Sequence, residues 1–145
     1  MDLDLQYDFT KNLSIISKTT IVRAFNNSIN NYLIFAPPDR FQNTLKYKFQ
    51  PFGRFSGFYV DVSNLYVSHQ WRVPPQSDYS TPPPAYALFN AETGTTVKIK
   101  KRPLEIIFSV NDITNKSYRD YLDRLRYFSD EPGRNFTLRI KVPLF

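Results

Sequence analysis

The chain has 145 residues and a formal net charge of +6, with no Cys and one His. The lack of Cys excludes disulfides, thiolate nucleophiles and Cys-ligated zinc, and the 4 Gly are too scattered for a phosphate-binding loop. The chain is rich in aromatic residues and proline, with 13 Phe, 10 Tyr and 11 Pro. We therefore expect one β-rich domain over residues 1–145 that is not an enzyme and holds no cofactor or metal.

The N-terminal residues alternate between apolar and polar side chains. Every odd position from Met1 to Phe9 is apolar, and Asp2, Asp4 and Asp8 lie between them. This period of two predicts a strand with one apolar face and one acidic face. The acidic face is expected to pair with basic strands of its own sheet or of a neighbour, or to remain solvated.

The N-terminus also bears on the location of the chain. It is acidic, whereas a signal or transit peptide would be basic. The longest apolar run, residues 32–36, is too short to span a bilayer. We therefore expect no membrane span, and a location in the cytoplasm or within a viral particle.

The same alternation predicts further strands along the chain. A change of phase at Ser63–Asn64 indicates a bulge or turn, and residues 90–94 are predicted to form a hairpin turn. Residues 13–25 fit a short helix or a strand, and their β-branched residues favour the strand. The other predicted strands cover residues 32–36, 45–50, 58–73, 86–89, 97–101, 104–110 and 136–144.

One segment has the spacing of an amphipathic helix. Tyr118, Tyr121, Leu122 and Leu125 share a face within residues 115–128, and Ser117 with Asp120 resembles a capping box. The predicted fold is mainly β, an antiparallel sandwich or distorted barrel with this helix near the C-terminus. The alternative is an α+β domain.

The proline-rich segment 74–84 and the first strand are the candidate contact elements, because an extended polyproline-like loop can pack over a neighbour and a terminal strand can pair with one. Basic side chains near aromatic ones form a second candidate site, for nucleic acid. The single His69 is expected to be a hydrogen-bonded core residue. The candidate interface residues are Trp71, Pro74, Pro75, Tyr79, Pro82, Pro83, Pro84 and Phe145, and the candidate nucleic-acid contacts are Lys46, Lys48, Lys98, Lys100, Lys101 and Arg102.

These features predict a non-enzymatic structural subunit of a larger assembly, such as a component of a virus or phage particle. Its partners would be other protein subunits, identical or different. The alternatives are a basic nucleic-acid-binding module and an accessory subunit of an organellar complex. An enzyme or small-ligand binder at the mouth of a barrel is a more remote class.

Overall fold

The computed structural model describes residues 1–99 and 102–142. Its long strands form one seven-stranded antiparallel sheet. In chain order the strands are β1 (Asp2–Asp8), β2 (Leu13–Thr20), β3 (Phe25–Asn26), β4 (Asn31–Tyr32), β5 (Arg40–Lys48), β6 (Phe55–Val67), β7 (Tyr86–Ile99), β8 (Arg102–Asn111) and β9 (Asn135–Lys141). The sheet order is β1-β2-β5-β6-β7-β8-β9, and β3 pairs with β4 in a separate two-stranded ribbon.

The prediction of a mainly antiparallel β fold is confirmed. The long strands lie in a single sheet rather than in two packed sheets. Each strand pairs with the next long strand along the chain, so the sheet is a meander with local connections. The assignment of residues 1–145 to one domain stays a prediction.

The predicted amphipathic helix is wrong. The described residues contain one short 3-10 helix, Arg124–Tyr127, inside a loop over residues 112–134. The Ser117 hydroxyl donates to Asp130 instead of joining a capping box. The Asp120 carboxylate accepts from Arg40 and from the Tyr86 hydroxyl. These tertiary contacts override the helical spacing of the apolar residues.

Two predicted interruptions of strands are also wrong. β6 runs through Ser63–Asn64 without a break, and its irregularity lies between Ser56 and Tyr59 instead, where Gly57 has φ +64°. β7 runs through residues 90–94, where the Tyr59 ring lies over Gly94. A Cβ atom on Gly94 would lie 2.5 Å from Cε1 of Tyr59, so this glycine makes room for a ring and not for a turn.

The two ends of the sheet differ in the length of their connections. Residues 9–12 and 49–54 form short turns at one end, which we call the turn end. Residues 21–39, 68–85 and 112–134 form longer loops at the other, which we call the loop end. The small buried core, formed by Val67, Tyr86 and Leu88 with Leu65 and Tyr118 against it, lies beneath these loops.

Candidate functional site

The two faces of the sheet have opposite chemistry. Residues that pair directly across antiparallel strands share a face, so the register assigns every strand position to one face or the other. Among the described strand residues, one face, which we call the apolar face, carries a single charge at Arg102, the first residue of β8 at the turn end. The apolar and aromatic residues of this face are Leu3, Leu5, Tyr7, Leu13, Ile15, Phe41, Leu45, Tyr47, Val60, Val62, Tyr66, Phe89, Val97, Leu104, Ile106, Phe108, Val110, Phe136, Leu138 and Ile140.

The apolar face is exposed rather than packed into a core. Leu5 is 57% exposed and Leu138 is 63% exposed, on strands at opposite edges of the sheet. Val62, in the middle of the sheet, is 47% exposed. The alternation of the last strand predicts that its apolar residues point inward, and that prediction is wrong, because Phe136, Leu138 and Ile140 are all more than half exposed. Contiguous exposed apolar patches beyond a few hundred Å² mark a surface that meets another molecule or a membrane.

Aromatic side chains lie towards both ends of the apolar face. At the turn end the Tyr47 and Phe49 rings are 4.7 Å apart, and the Phe49 and Phe58 rings are 4.6 Å apart. Towards the loop end the Phe41 and Tyr66 rings are 6.3 Å apart. From Phe41 to Phe49 the strand rises about 27 Å at the usual rise per residue. This arrangement resembles the aromatic girdles that border a membrane-facing apolar band.

The other face, which we call the polar face, carries the remaining charges of the long strands. Lys46 Nζ lies 3.1 Å from Asp61 Oδ2 and 4.1 Å from the centre of the Tyr59 ring. The Tyr59 hydroxyl donates to Glu92 Oε1 at 2.7 Å. These residues link β5, β6 and β7 across the middle of the face. The charged positions are Asp2, Asp4, Asp8, Lys18, Arg40, Lys46, Lys48, Asp61, Glu92, Lys98, Glu105, Arg139 and Lys141.

A polar depression lies in the middle of this face. It has a volume of about 410 Å³ and includes Gln42, Ser63, Asn90, Glu92 and Arg139 in its lining. Asp61, which also lines it, has one buried carboxylate oxygen, Oδ1, without a hydrogen-bond partner. The depression thus offers charged and polar groups to water or a polar solute. The polar side chains of the opposite face are uncharged apart from Arg102, and they include Ser17, Asn43, Asn64 and Thr93.

At the loop end, Asp39 ties two loops together. Its carboxylate accepts from Arg23 at 2.6 and 3.0 Å and from the buried Arg72 at 2.9 Å. The hydrogen bonds from Arg23, with the charge of Arg72, hold the pKa of Asp39 below its usual range although burial opposes this. Gln70, 1% exposed, donates to the carbonyl of Ala36 at 2.7 Å. These contacts therefore join residues 21–39 to residues 68–73.

A second buried pair joins the proline-rich loop to the loop over residues 112–134. Arg126, 2% exposed, contacts Asp78, and the Tyr127 hydroxyl donates to Asp78 Oδ1 at 2.5 Å. Burial alone would raise the pKa of Asp78, but the hydrogen bonds from Tyr127 and Arg126 outweigh it and lower that pKa. The proline-rich loop thus packs against its own chain.

The candidate interface residues lie in or next to this loop. Trp71 is 65% exposed and Tyr79 is 97% exposed, and the prolines range from half-buried to exposed. Phe145 lies outside the described residues. Their role in protein contacts stays a prediction. His69 was expected in the core, and it is instead exposed, with Nδ1 2.8 Å from the carbonyl oxygen of Pro83.

The candidate nucleic-acid contacts do not form one patch. Lys46, Lys48 and Lys98 lie on the polar face, and Arg102 lies on the apolar face at the turn end. Lys100 and Lys101 lie outside the described residues. Lys46 is already paired with Asp61, which reduces the positive charge that it offers to a phosphate.

The alternation of apolar and polar residues predicted the strands but not the exposed apolar face that they form together. The alternation predicts strands with one apolar side, but it does not indicate whether one small chain has enough material to cover those sides. The phase change on β6 was a usable signal, because Leu65 and Val67 turn to the polar face only where the loops cover that face.

Among residues 1–99 and 102–142, no helix is long and apolar enough to cross a membrane. In the same residues no group of His, Asp and Glu side chains is placed to hold a metal ion.

No family model and no curated protein matches the chain. Its fold is similar to that of a solved chain described as "Copper transporter OprC", with a TM-score of 0.77 and 17% sequence identity. The similarity covers 96% of this chain and 21% of that chain. The chain therefore spans about a fifth of the length of that transporter, and at this identity the likeness shows the fold alone.

This likeness corrects the functional prediction. A structural subunit of an assembly such as a virus particle was expected, with a nucleic-acid-binding module or an organellar accessory subunit as alternatives. That prediction is wrong, because the fold is shared with a solved chain described as a copper transporter, and nothing in residues 1–99 and 102–142 indicates a virion subunit.

Proposed function

We propose that the chain forms part of the wall of a membrane transport protein. In this arrangement the apolar face lies against lipid, and the polar face lines the aqueous passage or meets whatever occupies it. The observation that carries the proposal is the separation of charge between the faces: the apolar face has one charge, at its turn end, while the polar face has all the others on the long strands. The transport role itself comes from the likeness to a copper transporter.

The energetics of exposed apolar surface support a membrane location. Apolar surface in water costs about 25 cal/mol per Å², and this face leaves large side chains such as Tyr7, Leu138 and Ile140 more than half exposed. In hydrocarbon that cost disappears. Arg102 fits the same arrangement, since a long side chain at the end of a strand can extend its charged group to the membrane surface.

The strand lengths and connections support it as well. A strand that crosses a bilayer at a tilt needs about 9 to 11 residues, and β5, β6, β7 and β8 have 9, 13, 14 and 10. Short turns at one end and long loops at the other are typical of transmembrane sheets. The expectation of no membrane span rested on continuous apolar runs, whereas a crossing strand needs apolar residues only at alternate positions.

Spin labels on β8 test the proposal. The chain has no Cys, so each single-Cys variant carries a defined label. Labels at Ile106, Phe108 and Val110 report the apolar face, and labels at Glu105 and Ser109 are matched controls on the polar face of the same strand. Collision rates with oxygen, which concentrates in lipid, and with a water-soluble nickel complex are measured in phosphatidylcholine vesicles.

The expected result is an alternation along β8. Even-numbered positions should collide with oxygen and not with nickel, and the controls should show the reverse. Equal nickel accessibility at both sets of positions would place both faces in water and would refute the proposal. The non-enzymatic character of the chain remains part of the proposal, which assigns it a passive wall.

A further inference from the structure

The outer edge of β1 is open among the described residues. Met1 and Ile21 exchange two backbone hydrogen bonds, of 2.8 and 2.9 Å, and the Phe9 N–H donates to Leu13. In an antiparallel pair the residues that bond to the partner strand alternate with residues whose backbone groups point away. The backbone N–H and C=O groups of Asp2, Asp4, Gln6 and Asp8 therefore point away from β2. An open edge of this kind accepts a further strand.

The same residues carry acidic side chains that their own sheet leaves almost unpaired. β2 offers one cation on the polar face, and Lys18 Nζ lies 3.9 Å from the largely exposed Asp4. Asp8 accepts a hydrogen bond from Gln6 at 3.1 Å. The basic residues Lys46 and Lys48 lie on β5, beyond β2. The expectation that the acidic strand lies beside basic strands of its own sheet is therefore met only at Lys18.

A second copy of the chain does not supply the missing charges. A two-fold axis would place β1 against β1 in antiparallel register, which puts acidic faces together. The opposite edge, β9, is basic through Arg139 and Lys141. However, β1 and β9 run in the same direction in this sheet of seven strands. With the polar faces of both copies on the same side, β9 of a second copy would therefore meet β1 only in the less stable parallel pairing, and an antiparallel pairing would place its polar face beside the apolar face of the first copy.

We propose that the edge of β1 binds, in antiparallel register, a strand of different sequence whose polar face carries Lys or Arg at alternate positions. Such a strand completes the backbone hydrogen bonds of the acidic residues and places a cation directly opposite each carboxylate. Its other face is apolar and continues the apolar face of the sheet. This inference rests on the proposed function, in which the sheet is one part of a larger wall.

Two synthetic peptides of the length of β1 test the inference. One alternates Val with Lys and the other alternates Val with Glu. Their affinity for the chain is measured in neutral detergent by fluorescence anisotropy at low and high salt. The wild-type chain should bind the Lys peptide about tenfold more tightly than the Glu peptide, which corresponds to about 1.4 kcal/mol. High salt should reduce this preference, because the carboxylates are exposed.

Charge variants test where the preference arises. The variant Asp2→Asn, Asp4→Asn, Asp8→Asn should lose it. The variant Glu105→Gln, Asp130→Asn, Glu131→Gln removes the same number of acidic groups far from β1 and should keep it. In the Cys-free chain, Gln6→Cys should form a disulfide with a Cys placed in the Lys peptide, whereas Thr137→Cys on β9 should not.

The inference is wrong if the two peptides bind equally, if the preference survives loss of the β1 carboxylates, or if the cross-link forms at β9. These outcomes are separate from the test of the proposed function. The peptide assay measures the edge in detergent, and the spin labels measure the apolar face in lipid. If the peptide assay fails and the spin labels give the expected alternation, the proposed function stands and only the basic neighbouring strand is rejected.

Discussion

Replacement of Val62 by Arg tests the placement of the apolar face by the size of its effect on the free energy of unfolding. Val62 lies near the centre of that face, 47% exposed, opposite Leu45 on β5 and Ala91 on β7. If the face lies in water, an exposed Val→Arg change shifts the free energy of unfolding by about 0.5 kcal/mol or less. If the face lies in lipid, an arginine near the midplane costs about 2 to 4 kcal/mol.

The adjacent residue provides a matched control. Ser63 lies on the polar face, opposite Thr44 and Asn90, and lines the same depression as Asp61 and Glu92. An arginine there meets water and acidic neighbours, so its cost should be about 1 kcal/mol or less. The two substitutions introduce the same side chain on the same strand and differ only in the face that receives it.

Urea unfolding in phosphatidylcholine vesicles, followed by the fluorescence of Trp71, measures both variants, since the chain has one Trp. A loss of about 2 to 4 kcal/mol in Val62→Arg lowers the folding equilibrium constant by roughly 30-fold to 1000-fold. The reasoning fails if Val62→Arg is neutral, or if Ser63→Arg costs as much as Val62→Arg.

Three further predictions concern the loop end and the packing of β7. Asp39→Asn should lower the free energy of unfolding by about 3 kcal/mol, because it leaves the buried Arg72 without its carboxylate. Hydrogen exchange of residues 21–39 measures this loss. As a control, Asp130→Asn at an exposed ion pair should lower it by less than about 1 kcal/mol. Folding lowers the pKa of Asp39, so the stability that its ion pairs contribute is complete above its unfolded pKa of about 4 and is lost as the pH falls through the lower folded value. Trp71 emission should therefore change below about pH 4 in the wild-type chain. The same change in Asp39→Asn would contradict this assignment. Gly94→Ala should lower the free energy of unfolding in urea by about 1 to 3 kcal/mol, because the new methyl group meets the Tyr59 ring. When Tyr59→Ala is already present, Gly94→Ala should cause little further loss of stability.

The strands were predictable from the sequence because alternation is a local property. The first and last strands and the strand over residues 104–110 were all found, and each has an apolar and a polar side. The continuity of β7 was not predicted, because Gly94 within Asn- and Thr-rich sequence has the composition of a turn. The Tyr59 ring on the neighbouring strand β6 determines the conformation at Gly94, and the local sequence around Gly94 gives no information about that ring.

The helix over residues 115–128 failed for a related reason. Tyr118 packs against the core of Val67, Tyr86 and Leu88, and Tyr121 is buried beside Phe35, but both lie in an irregular loop. Asp120 is held by Arg40 and Tyr86, which are distant in sequence. The direction of the apolar face could not be predicted either, because alternation is identical whether an apolar side meets a core or meets lipid.

In the proposed membrane arrangement, the unequal connections at the two ends of the sheet would give the chain a preferred direction of entry. To cross a bilayer, a strand pair must carry its connecting residues through hydrocarbon, where every unpaired peptide group and charge opposes passage. The turns at residues 9–12 and 49–54 present few such groups. The loop over residues 112–134 takes part in the buried Arg126–Asp78 pair and the half-buried Arg40–Asp120 pair, and it has many peptide groups outside strands. Insertion with the turn end leading therefore has the lower barrier, and the long loops remain on the side from which the chain arrived.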